Sequence, residues 1–460
     1  MIQAGMSTFA FSIRVPILTA FIFLAPWVTE ASGAVALGDS DGSFGVDWSK
    51  TYGGSYGDGA WSLQKAVDGG YILAGYTCSI GEGGDLWMIK TGPYGEEQWG
   101  RIYGGSNEEV GYCINHTRDG GYVVTGATES YALGGERLWL LKVDPSGKKE
   151  WDRTFGGFVS SSGDGGWSVC QAVDGGYIMT GYTRSYGAGG KDLWLIKTDC
   201  MGRTEWQKTF GGIRDDVGMS VVQTTDGGFA VTGRTASFGS SGDDLWLIRT
   251  DSSGRELWNK TYGGPKDDTG FQVVEADDQK GGGFVVVGRT EATRNKRALI
   301  LKIDGNGSKV WEKTFEDGTV GISIQRSEDG GFVLAGRKDS TGKDGWAAKV
   351  SASSEMEWET TFGGAGDDTA TSVVADGEGC VVAGITNSYG YGAEDAWLVR
   401  IDPGHQKEKA AEDRLKADNS RLGYEYEPGQ GYGQGYVLAP SPGAKLPVDV
   451  DPVPLRDILA

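Results

Sequence analysis

Acidic residues at a fixed spacing are the groups in this chain best placed to do chemistry. An acid stands four residues before a recurring Ser position at Asp58, Glu109, Asp164, Asp216, Asp268 and Asp368. Three of them follow a second acid, giving the pairs Asp215–Asp216, Asp267–Asp268 and Asp367–Asp368. Carboxylates gathered at one mouth of a ring can hold a divalent cation such as calcium, or a basic partner. Alternatively, each acid accepts N–H groups within its own loop and ties neighbouring units together. Repetition in most units favours this second role. Aromatic residues in a shared Ser-aromatic setting, at Tyr131, Tyr186, Phe238 and Tyr389, offer flat surfaces for sugar or protein contact. Packing between units is their plainer use.

Other chemistries are poorly supplied. Histidine occurs only at His116 and His405, which argues against a Ser-His-Asp triad or a His-based zinc site. There is no HExxH, P-loop or GxSxG pattern. Cys78, Cys113, Cys170, Cys200 and Cys380 occupy unrelated positions and form no CxxC, so no disulfide framework is implied. Asp39–Asp47 has acids spaced like a calcium loop, but the closing position holds Lys50, whose charge opposes a metal. No cofactor is expected, and calcium is the one ion the acids would suit. The net charge of −20 argues against nucleic acid as a partner. Sequons stand at Asn115, Asn259 and Asn306, of which only Asn306 is expected to be reachable.

The elements that position these residues come from an internal repeat. A Trp, a short β-prone run and usually Gly-Gly recur at Trp48, Trp99, Trp151, Trp206, Trp258, Trp311 and Trp358, about 50 residues apart. Each period holds four strand-like runs, a to d, separated by Gly/Asp turns. In the fourth unit they are GMSVVQT, FAVTGRT, LWLIRT and ELWNKTY. Glycine is abundant, with 79 residues, yet 16 Trp, 19 Tyr and 15 Phe exclude disorder across the repeats. Four strands repeated radially predict an all-β, seven-bladed β-propeller over 45–402. The chain enters with a lone d strand, VDWSKTY, and leaves after a c strand, AWLVRID. Pairing these two completes the last blade, closes the ring and removes open edges.

The flanks differ from the ring. Arg14 followed by the apolar run Val15–Val28 and small residues predicts a signal peptide over 1–36, then a short leader over 37–44. After cleavage no membrane span is expected. Residues 403–460 are charged and then Gly/Tyr/Pro-rich, the composition of a disordered tail.

The units GYILAGYT, GYIMTGYTRSYGAGGKDLWLIKTD and GFAVTGRTASFGSSGDDLWLIRTDSSGRELWNKTYGG resemble a group of secreted prokaryotic repeat proteins, common in methanogens, of the quinoprotein-like propeller type. The resemblance covers roughly 45–402 and implies the fold. It implies no dehydrogenase activity, because no adjacent Cys pair and no quinone or calcium ligand set accompanies it. The reading is therefore a secreted or cell-surface, monomeric, non-catalytic scaffold that binds protein or carbohydrate. The alternatives are a polysaccharide-acting enzyme using carboxylates of the loop-rich face and a calcium-stabilised surface ring.

Overall fold

The computed structural model describes residues 45–403 apart from 82, 132–134, 158–162, 277–282, 292–294 and 340–341, together with the backbone of 424–428 and 436–440. The signal peptide, the leader, most of the tail and the irregular loops of blade five lie outside the described residues in whole or part. Twenty-eight strands from Val46 to Ile401 form seven four-stranded antiparallel sheets arranged as a β-propeller. Six blades use four consecutive strands; the seventh pairs Val46–Tyr52 with Asp395–Ile401. In the tail, Tyr424–Pro428 pairs antiparallel with Tyr436–Pro440.

Burial follows the radial position of each strand. Strands b and c have neighbours on both faces and are buried almost throughout, as in YIMTGYT and DLWLIKT of blade three. The strand-c tryptophans Trp87, Trp139, Trp194, Trp246, Trp346 and Trp397 sit in this core at 6% exposure or less. The strand-d tryptophans are half-buried, because strand d is outermost and has solvent on one side. Five of them cover a glycine in the next blade's c–d turn: a Cβ on Gly95 would lie 3.0 Å from Trp48, and one on Gly254 would lie 2.6 Å from Trp206. These turns also require positive φ, 79° and 75°.

The innermost strands are knitted by side chains that reach across the seams. Ser62 Oγ accepts the amide of Ile114 at 3.1 Å, Ser168 that of Val221 at 3.2 Å, and Ser220 that of Val273 at 3.3 Å. Ser323 and Ser372 continue the series to Val373 and Leu63. The last of these bonds joins blade seven to blade one. Cys113 interrupts it, since a thiol is a poor acceptor, and points its Sγ 3.8 Å from Val169 O. All five cysteines are unpaired.

A buried cation near the end of strand c holds the a–b turn. Lys142 is 2% exposed and pairs with Asp119 at 2.9 Å and Glu150 at 2.7 Å. Lys197 and Lys349 repeat the arrangement with Asp174 and Asp329, and Arg249 does so with Asp226. In blade seven Arg400 reaches Asp376 at 2.9 Å and Asp47 of the entering strand at 2.6 Å, so the cation also fastens the closing strand. Trp397 adds an indole bond to Ser49 at 2.7 Å.

Deleting 45–54 is expected to lower the melting temperature sharply by removing this strand. Tyr52→Ala, which empties a core position at the first seam, should cost about 3–5 kcal/mol in denaturant unfolding. Unchanged unfolding in both variants would contradict closure through this strand.

Candidate binding face

The acids at the start of strand a are not on the surface. Asp58, Glu109, Asp164, Asp216, Asp268 and Asp368 are each 0% exposed. Asp216 accepts the Gly212 amide at 2.8 Å, the Ser237 hydroxyl at 2.6 Å and the Thr235 hydroxyl. Asp164 bonds Gly157, Ser185 and Thr183 in the same way, Asp368 bonds Gly364, Ser388 and Thr386, and Glu109 bonds Gly105, Thr128 and Ser130. Asp58 takes Gly54 and Ser79, and Asp268 takes Gly264. Each carboxylate thus ties a d–a loop to the b–c loop of its own blade. Of the two roles open to these six, their burial and bonds fit the internal one that their repetition favours. The signal was present in sequence: Thr-x-Ser follows strand b at Thr77, Thr128, Thr183, Thr235 and Thr386.

The partner acids form a separate, outer tier. Asp215 accepts the Lys191 amide at 2.9 Å, and Asp267 accepts the Asp243 amide at 3.1 Å. Asp367 accepts Lys343 Nζ at 2.6 Å. Asp215 and Asp267 are half-exposed and Asp367 is exposed. These three remain on the rim.

A second set of acids opens strand c. Asp85, Asp192, Asp244 and Asp395 are 4% exposed or less. They hold their own b–c loops: Asp192 accepts the Ala188 amide at 2.9 Å and Asp244 the Ser240 amide at 2.7 Å. Asp395, Asp85 and Asp192 each face the strand-a acid of the following blade across a glycine. A Cβ on Gly53 would lie 2.3 Å from Asp395 Oδ1 and 2.7 Å from Asp58 Oδ2, and Gly104 and Gly211 are flanked in the same way. This explains the first glycine of each Gly-Gly. It also leaves like charges close together. Burial, and then Asp58, push Asp395 up to about 6; burial, and then Asp216, raise Asp192. At the seam between blades two and three, Arg137 replaces one acid and lies beside Asp164.

The predicted aromatics take an intermediate position. Tyr131, Tyr186 and Phe238 are 45%, 41% and 45% exposed, and their rings lie 5.6, 5.5 and 5.6 Å from Trp139, Trp194 and Trp246. Tyr389 stacks likewise on Trp397 but is more buried. Tyr131 and Tyr389 also donate to Gly104 O and Gly363 O at 2.7 and 2.6 Å. One face of each ring serves the blade, and the other edge is open.

A further aromatic group was not expected. Every strand a carries a β-bulge just before its Ser position, as at Ala60/Ser62, Gly111/Cys113 and Gly166/Ser168. The extra residues Trp61, Tyr112 and Trp167 have no ladder partner and are half-exposed. Trp61 meets Tyr112 at 6.0 Å and Tyr112 meets Trp167 at 4.4 Å. Rings from three blades converge only where the first strands converge, at the axis.

An open hollow between blades five and six is lined by Asn295, Lys296, Asp317, Gly318 and Asp339. Its acids are engaged, Asp317 by Arg297 and Asn295, and Asp339 by Arg337 at 3.5 Å. Among the described residues no group of three or more His, Cys, Asp or Glu is placed to hold a metal ion. No helix among them is long and apolar enough to cross a membrane. Of the sequons, Asn306 is exposed as expected. Asn259 is exposed as well, though its amide is bonded to Trp246 and Glu256.

No protein-family model matches the chain, and no curated protein does. Among solved structures it is similar to the WD40 β-propeller domain of Doa1, with 12% identity over 77% of this chain and 96% of that one and a TM-score of 0.49. It is also similar to Chaetomium thermophilum Sqt1 bound to the N-terminus of the ribosomal protein L10, with 10% identity, 76% and 98% coverage and a TM-score of 0.44. A protein of unknown function from Bacteroides caccae matches at 11% identity, with 64% and 94% coverage and a TM-score of 0.41.

Two opposite pH dependences are built into the blades. Asp395 has a folded-state pKa above its unfolded one, so its contribution is present at low pH and lost as pH rises through about 6. Burial pushes Asp119 up, but bonds from Thr117 and Lys142 outweigh it and hold the carboxyl at about 2. Its contribution is present at neutral pH and lost as pH falls through about 2. Melting temperature should peak near about pH 4 and fall from there to about pH 6. Asp395→Asn should raise it at pH 8 and flatten the fall between about pH 4 and pH 6; an unaltered fall would refute the pairing argument.

Proposed function

We propose that this protein is a secreted, non-catalytic binding module that offers the loop-rich face of its ring to a protein or carbohydrate at the cell surface. The division of the acids and aromatics carries the reading. The acids at the start of strand a are buried under their own loops, while half-exposed rings and the outer-tier acids face outward on several blades. Such edges supply contact area with little ordering cost. The apolar run behind Arg14 supports export, as does the resemblance of the units to secreted prokaryotic propellers of the quinoprotein-like type. A ring that closes with its own chain ends supports a monomer.

A glycoside-cleaving enzyme needs two nearby carboxyl groups open to substrate. The close pairs at the seams lie beneath loops, and both acids of the hollow are ion-paired, which favours binding over cleavage. A panel of defined glycans and surface proteins, measured against the whole chain, tests this. Ligands should lose about tenfold in affinity in the triple variant Tyr131→Ser, Tyr186→Ser, Phe238→Ser, and should be unaffected by Val67→Ser on the opposite face. Cleavage of a glycan, or ligands indifferent to the triple variant, would overturn the reading.

A further inference from the structure

The loop-rich face is electrically divided. Among the described residues of the loops entering and topping blades one and two, and the b–c loop of blade seven, the charged residues are Glu108, Glu129, Glu136 and Glu394, with no lysine or arginine. The loops of blades three to six mix both signs, with Arg184, Lys191, Arg214, Lys266 and Lys296 among their residues. The aromatic arc at the axis starts on the acidic side, with Trp61 and Tyr112 in blades one and two, and ends at Trp167 in blade three.

The repeat contains its own control. The residue preceding strand c is Lys191 in blade three, and its Nζ sits 3.8 Å from the centre of the Tyr182 ring. Beside it, the Tyr182 hydroxyl donates to Glu136 at 3.0 Å. Here the chain fills an aromatic-and-carboxylate corner with its own ammonium group. The same position holds Glu394 in blade seven, Gly84 in blade one and Glu136 in blade two. Only at blade one does the corner keep its ring and acid, Tyr76 and Glu394, while Gly84 supplies no cation; Glu136 is the acid that Lys191 already faces, and blade two has Ala127 in place of the tyrosine. Tyr76 donates to Glu394 at 2.7 Å, as Tyr182 does to Glu136. Tyr112 stands between these corners, its phenol pushed up to about 12 by burial and then by Glu136 and Glu108. Of the nearby guanidinium groups, Arg137 lies at the seam beside Asp164, and Arg184 lies near Tyr182 and Lys191.

We propose that the arc of Trp61, Tyr112 and Trp167, beneath Glu108, Glu136 and Glu394, seats a lysine or arginine side chain from a basic peptide segment of a partner protein. This rests on the loop-rich face being the binding face. A cation over an aromatic face is attracted by the ring quadrupole, and more strongly once partly desolvated. The carboxylates would draw a basic segment to the mouth and would oppose an acidic one.

The test is fluorescence anisotropy on the whole chain with a dye-labelled peptide, Gly-Ser-Arg repeated three times, at low ionic strength. The same peptide with citrulline in place of arginine serves as the neutral control. The arginine peptide should bind, and the citrulline peptide should bind about tenfold more weakly. Tyr112→Leu and Glu136→Gln should each weaken the arginine peptide about fivefold. Glu136→Gln keeps an acceptor for Tyr182, so it guards against loss of folding, which thermal unfolding checks directly. Absence of binding, equal binding of both peptides, or indifference to both variants overturns the proposal. Sensitivity only to Asp215→Asn, Asp267→Asn or Asp367→Asn would overturn this seat while leaving the loop-rich face as the binding face. Ligands indifferent to every substitution on that face would overturn both.

Discussion

Closure of the ring governs the rest of the structure. Seven wedge-like sheets can bury both faces of their middle strands only if every blade has a neighbour on each side. The antiparallel ladder between Val46–Tyr52 and Asp395–Ile401 meets that condition. Without it, blade seven would lack an outer strand, and the first seam would lose Tyr52 from the cluster it shares with Leu63, Tyr71 and Trp87. The side-chain bonds between first strands depend on the same condition, because they run round the ring, with a gap at Cys113 and with Gln272 in place of a serine at one seam, and the bond from Leu63 to Ser372 joins the last blade to the first.

Polar groups do different work at the two ends of each blade. On the face of the a–b turns, a buried lysine or arginine is neutralised by acids that remain partly in water, which favours the charged state of both partners. On the loop-rich face, acids are buried against acids and satisfied by amides and hydroxyls, which leaves residual repulsion. The two arrangements respond to protons in opposite directions. Arg137 beside Asp164 shows how one substitution relieves a seam, exchanging a repulsive pair for an attractive one.

Much of the fold was legible because its signals repeat. Strand order, blade count and closure follow from the Trp strands and from the mismatch between the first and last runs. The site was less legible, for specific physical reasons. Asp215 and Asp216 are chemically identical neighbours, but alternation along the backbone sends one to the rim and the other inward. The strand-d tryptophans look the same in sequence as those of strand c, and only radial position separates them. The bulge at Trp61 adds one residue to an apolar run and leaves the run's pattern intact, so the aromatic arc has no sequence signature of its own. Lys142 and its counterparts read as ordinary polar positions in strands until the turn aspartates are placed beside them.

The closing ladder has a mechanical consequence. Its two strands are antiparallel, with Val46 opposite Ile401 and the Asp402 amide bonded to Gly45 O at 2.6 Å. The chain therefore enters and leaves the ring at the same end of one ladder. Tension applied between these two points loads a single terminal bond and then peels the pairs in sequence, as a zipper opens, instead of shearing all of them at once. The closing ladder is thus least resistant to force applied between the two points where the chain enters and leaves the ring. Both points also lie at the end of the blade away from the loop-rich face, so a ring tethered there turns that face outward.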